Sequence, residues 1–170
     1  ALKTYLQSTY PEKISHMCSY SSQQLLVHHP TTQEPTVVGI LKGIDPDEEM
    51  QVTQLHTKFS LPAKQVISSL QGANVFIGKG LAETLEREEG DKITLLYNAD
   101  PHAKPTDIRF SSLQATVKGL ISTGIADYDN TLVIAHQSFV KEMLEDDSTN
   151  EMGIKLTCRT DATALSKELN

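Results

Sequence analysis

Hydrophobic positions change their spacing twice between Asn74 and Leu96, in the stretch NVFIGKGLAETLEREEGDKITLL. Val75 and Ile77 alternate with Asn74 and Phe76, the two-residue period of a strand with unequal faces. Gly78-Lys79-Gly80 interrupts that strand, because glycine permits tight turns and close backbone approach. Leu81, Ala82 and Leu85 then fall at helical spacing, leaving Glu83, Glu86 and Arg87 for the wet face. Glu89-Gly90-Asp91 is the expected helix stop, and Ile93 and Leu95 resume the strand period. The pattern predicts strand, glycine turn, short helix, tight turn, strand.

The flanking sequence follows the same rules. Leu2 to Tyr10 reads as a helix ended by Pro11, and Ile14 to Val27 as a strand with a polar middle. Thr36 to Leu41 is a second strand, able to form a hairpin with the first across a proline-bearing loop, 28–35. Residues 43–46 read as a turn, because Pro46 drives Asp45 out of the helical region. Residues 47–60 are polar, one helical turn followed by loop, and Leu61 to Ser69 is a helix with Pro62 at its first position.

Beyond the central stretch, Leu113, Ala115 and Val117 mark a half-buried strand that ends at Gly119 and resumes over 120–124 after a bend. Asp127 to Asn130 is a turn and Thr131 to Ala135 a β-prone run. Phe139, Val140, Met143 and Leu144 share one helical face. Ile154, Leu156 and Cys158 share one face of a last strand, and Asp161 caps a helix whose Ala164, Leu165 and Leu169 face inward.

Between the strands at either side, residues 97–112 (YNADPHAKPTDIRFSS) bury almost nothing and contain two prolines. A long connection of that kind inside a compact domain points to function.

Composition narrows the classes. The 170 residues suit one good-sized domain or two small lobes sharing a core. With no Trp and 5% aromatics the core is expected to be aliphatic. A net charge of −7 argues against sequence-independent nucleic-acid binding, which needs a basic face, and no polybasic segment addresses anionic lipid. No apolar run is long enough to span a bilayer and no signal peptide opens the chain, which starts at Ala1 directly on folded-looking sequence and reads as an excised piece. Cys18 and Cys158 form no CxxC: in the cytosol they would be buried thiols, in an oxidising compartment they could bridge.

Candidate chemistry resolves mostly into scaffold. Gly78-Lys79-Gly80 lacks both the P-loop and the dinucleotide spacing, and Glu83 at the third glycine position would repel an anion. Asp45, Asp47, Glu48 and Glu49 lack the sharp-turn glycine of a calcium loop and have His56 in place of the bidentate Glu, so they read as a solvated acidic face. His16, His28, His29, His56, His102 and His136 show no metal-ligand spacing, and no GxSxG elbow is present. The expectation is a non-enzymatic domain without catalytic, cofactor or metal-binding residues.

Three features together carry a resemblance: the turn GILKGIDP at 39–46, the stretch IGKGLAETLEREEGDKITLL with its proline-bearing excursion, and LQATVKGLISTGIADYDNTLVIAHQSFVKEML. They resemble the periplasmic domains of FtsX-like ABC permeases, within these most closely the lipoprotein-releasing LolC, LolE and LolF permeases, over about residues 38–144. The resemblance implies an α+β, MacB-like periplasmic core: a porter-like α+β lobe from 1–60 plus 149–170, and an inserted, mostly β lobe, 61–148. It places the chain on the periplasmic side of a bacterial inner membrane, where Cys18 and Cys158, expected in one lobe, could form a disulfide.

The resemblance also implies partners. The excursion, 98–111, matches a hook-like arm, with Pro101, His102, Ala103, Lys104, Pro105, Thr106, Asp107, Ile108 and Arg109 as candidate partner-binding residues. Its expected partner is a LolA-like lipoprotein carrier, the lipoprotein itself, or both. Proline would stiffen such an arm and lower the ordering cost of capture. ATP hydrolysis would belong to a separate subunit, and a second permease copy would associate through the rest of the parent protein. The alternatives are a MacB-like efflux domain contacting an adaptor protein, and a cell-wall regulatory module of FtsX type.

Overall fold

A computed structural model describes residues 2–28, 36–100, 106, 109–146, 150–158 and 161–169. In chain order these form helix α1 (Leu2–Thr9), strands β1 (Ile14–His28) and β2 (Val37–Ile44), helix α2 (Pro46–Val52), a 3-10 turn (Leu55–Lys58) and helix α3 (Ala63–Ser69). Strand β3 (Asn74–Gly78), helix α4 (Lys79–Thr84), strands β4 (Lys92–Asn98) and β5 (Phe110–Ile121) and helix α5 (Ala126–Asp129) follow. Strand β6 (Leu132–His136), helix α6 (Gln137–Leu144), strand β7 (Glu151–Leu156) and helix α7 (Asp161–Leu169) complete the order.

The seven strands form a mixed sheet in the order β2-β6-β3-β5-β4-β1-β7, and an added β2–β1 pairing closes β1 to β6 into a ring. Closure is possible because β1 is long enough to serve two neighbourhoods. Its first half, Ile14 to Tyr20, pairs with β7, while Ser21 to Val27 pairs with β2 and Leu26 to His28 with β4. Inside the ring, inward residues of each ring strand meet Leu81 and Ala82 of α4, Leu85 just after it, and Val140 and Met143 of α6. A second core lies on the outer face, where Phe76, Ile134 and Ile121 pack under Val66 of α3 and Leu70 at its end. Leu6, Ile14, Met17 and Leu165 make a third, smaller core in the terminal layer formed by α1, the start of β1, β7 and α7.

Several local expectations change. Both faces of β3 are buried, Phe76 included, because α3 and the 3-10 turn cover the outer side. Gly43 is a strand residue, not a turn: it pairs with Ser21 and Ala135, and a Cβ there would lie 3.0 Å from Val140. Helix α4 ends through Glu86, which takes φ 51° while the Arg87 amide donates to the Ala82 carbonyl, so Gly90 serves the following turn. The bend near Gly119 is a bulge, with Val75 opposite Val117 and Phe76 opposite Gly119. Strand β5 begins at Phe110, so the excursion shortens to 99–109.

The lobes expected from 1–60 with 149–170 and from 61–148 share one sheet, since β1 and β2 from the first span close the ring with β3 to β6 from the second. The expected Cys18–Cys158 bridge is absent. Cys18 lies opposite Gly153 and Leu156 opposite Ile14, so Cys158 follows roughly 15 Å along the strand direction. A disulfide requires Cα atoms within about 7 Å.

Candidate functional site

The expected arm lies between β4 and β5, which pair as a hairpin. Seven antiparallel pairs run from Lys92 opposite Thr116 to Asn98 opposite Phe110, and the Ala99 amide continues the ladder to the Arg109 carbonyl at 3.0 Å. The Asp100 amide donates to Asn98 Oδ1 at 3.2 Å, and Gln23 Nε2 donates to the Asn98 carbonyl at 3.1 Å, tying the hairpin base to β1. Of the expected arm residues, Thr106 and Arg109 are described; Pro101, His102, Ala103, Lys104, Pro105, Asp107 and Ile108 lie outside the described residues.

Beside this base is an apolar strip. Ile93, Leu95 and Tyr97 point into the ring, which turns Leu96 outward. Leu96 is the cross-strand partner of Leu26, and Leu26 of Val38, so the three form a row across β4, β1 and β2. Phe110, 69% exposed, lies one diagonal step further towards the arm. Sequence reasoning assigned Phe110 to the polar excursion; the alternation of Phe110, Ser112 and Gln114 with Ser111 and Leu113 was the available signal. On the inner side of the base, a cleft of about 520 Å³ opens between the hairpin and the end of α6, lined by Tyr97, Ala99, Asp100, Arg109, Ser111, Met143 and Glu145. Its lining combines Tyr97, Ala99 and Met143 with charged groups of both signs, Asp100, Glu145 and Arg109.

At the other end of the ring, Gly78 and Gly80 have no room for an anion. A Cβ on Gly78 would overlap the Asp129 carbonyl oxygen, and one on Gly80 would overlap Asn130 Oδ1. The glycines are therefore scaffold. Asp129 closes its own loop by accepting from the Thr123 amide and hydroxyl, both at 2.7 Å, and from the Gly124 amide at 3.1 Å. The Thr123 amide bond, foremost among these, holds the Asp129 carboxyl below its ordinary value.

The acidic face expected at residues 45–49 is divided. Asp45 caps α2 by accepting from the Asp47 and Glu48 amides, at 3.0 and 3.2 Å. Glu49, on the inner face of the helix, is buried and accepts from the Tyr20 and Thr53 hydroxyls. The Cys18 thiol lies 2.7 Å from Tyr20 Oη and 3.6 Å from Glu49 Oε2. Burial raises both the Cys18 thiol and the Tyr20 hydroxyl above their ordinary values, and the Glu49 charge adds to both shifts. Among the described residues, no group of three or more His, Cys, Asp or Glu side chains could hold a metal ion.

The fold is that of two solved transporter domains. The extracellular domain of the noncanonic ABC-type transporter YknZ from Gram-positive bacteria superposes with a TM-score of 0.60 at 11% identity, over 95% of this chain and 74% of that one. The periplasmic region of MacB from Actinobacillus actinomycetemcomitans gives 0.56 at 13% identity, over 98% and 70%. No protein-family model matches the chain. In sequence, the chain is similar to the lipoprotein-releasing system transmembrane protein LolC of Neisseria meningitidis serogroup B, 33% identical over 97 residues. That match covers 56% of this chain and 23% of the relative's length. Fold and sequence similarity both point to periplasmic domains of LolC- and MacB-like ABC permeases as what this chain is similar to. No helix among the described residues is long and apolar enough to cross a membrane.

Proposed function

We infer that this domain takes part in lipoprotein release by an inner-membrane ABC permease, and that its β4–β5 arm receives a periplasmic lipoprotein carrier. The observation that carries the reading is the apolar strip Val38–Leu26–Leu96–Phe110, exposed except at the half-buried Leu96, which runs across four strands and ends at the arm base. A contiguous apolar patch rimmed by polar groups is what a protein partner covers. Arg109 at the cleft rim supplies a charged anchor next to it, a residue type common at interface centres. The similarity to LolC supports lipoprotein release over other transport tasks. In this reading the domain does no chemistry: a separate subunit hydrolyses ATP, and a second permease copy joins through the remainder of the parent protein.

The test replaces residues 100–108 with Asn-Gly, a two-residue turn suited to a hairpin, in the parent permease. The expected result is loss of carrier pull-down and of lipoprotein release with the thermal unfolding of the domain retained. Ile108→Ala with Arg109→Ala is expected to weaken capture in the same direction. Full capture and release by both variants would overturn the reading. Capture of an efflux adaptor in place of a carrier would favour the MacB-like alternative, which the fold similarity also supports.

A further inference from the structure

We propose that α2 is a polar latch between the ring and the terminal layer, with Glu49 as its buried pin, and that the terminal layer moves as a separate body about Tyr20–Ser22. Strand β1 changes partner at this point: Tyr20 is its last residue paired with β7, and Ser21 its first paired with β2. Leu6, Ile14, Met17 and Leu165 of the terminal layer form their own small apolar core, while Cys18 and Tyr20 at the seam pack into the second core on the outer face of the ring. Helix α2 follows β2 directly, through the Asp45 cap, and so belongs to the ring.

From that position α2 reaches into the layer. Glu49 accepts from Tyr20 and lies 3.6 Å from the Cys18 thiol, both on the β7-paired half of β1. The Gln51 carbonyl accepts from Lys155 of β7 at 3.1 Å, and Glu48 pairs with Lys3 of α1 at 2.8 Å. Beside the helix, Lys42 of β2 pairs with Glu151 of β7 at 3.3 Å and sits over the Tyr20 ring. The outer links are two partly exposed ion pairs and one exposed hydrogen bond to a backbone carbonyl, the kind that contribute little and break readily. Glu49 differs, because a buried carboxylate needs its donors, and losing them leaves an uncompensated charge. Polar interfaces between units of one chain are the ones across which units move.

Hydrogen exchange on the full chain tests this. Glu49→Gln turns an acceptor-only group into one whose amide faces the Tyr20 and Thr53 hydroxyls. The expected result is exchange about tenfold or more faster at the β7 amides, with β3 and β6 amides unchanged. Tyr20→Phe, a gentler change that keeps the ring packed, is expected to act in the same direction to a smaller extent. Equal acceleration in β7, β3 and β6, or none in β7, with either variant would overturn the latch; should Glu49→Gln fail to fold, Tyr20→Phe decides alone.

Discussion

The Asp129 carbonyl oxygen occupies the space that a Cβ on Gly78 would need. The end of β3 and the α5 turn, far apart in sequence, are therefore built against each other at backbone contact. Gly78→Ala is expected to destabilise the domain by about 3 kcal/mol, since neither partner is a flexible side chain that could give way. Gly90→Ala has open space around it and meets only the strain of φ +97°. A denaturant midpoint for Gly78→Ala no lower than that for Gly90→Ala would contradict this packing.

The Asp129 loop makes a pH-dependent prediction. Its folded carboxyl titrates below the ordinary value of 3.8, so its contribution is complete above that value and is lost as pH falls through the lower folded value. Asp129→Asn is expected to cost about 1 kcal/mol at neutral pH, discounted from the hydrogen bonds lost because the site is partly exposed. The gap between the two proteins should close below about pH 3.8. Urea unfolding of both across pH 3 to 7 checks the sign; a gap that widens in acid is the contrary result.

The two thiols should separate cleanly. Cys158 is exposed, whereas Cys18 is buried and its thiol is held above its ordinary value. Thiolate is the reacting species, so a maleimide or Ellman's reagent should label Cys158 promptly and Cys18 only on unfolding. Mass spectrometry after a short pulse would locate the label. Protection of both sites that dithiothreitol removes would restore the disulfide.

Phe76 joins the β3 strand to its outer cover. It is fully buried, and its ring meets Phe59 edge-to-face at 4.9 Å. Phe76→Ala is expected to cost about 3–5 kcal/mol, and Phe59→Ala less, because Phe59 is only partly buried. A chemical denaturation series orders the two directly.

Element types were readable wherever one face was clearly apolar. The 74–96 stretch folds as strand, helix and strand because glycines and alternating aliphatics act locally. The start of β5 was not readable, since Phe110, Ser111 and Ser112 carry no buried face and are in a strand through pairing with Tyr97 and its neighbours. Glu49 was misread for a related reason: in a run of acids, only the packing of α2 against β1 singles out one for burial.

Sequence alone determined the α+β class, the two strands β4 and β5 on either side of the proline-bearing segment, and the resemblance to ABC permease domains. These depend on local period, on turn residues and on short motifs. The tertiary structure decided that β1 serves two neighbourhoods, that the ring closes across both expected lobes, and that Cys18 and Cys158 stay apart. Register and long-range pairing follow from which faces the whole chain can bury together, and no single segment carries that information.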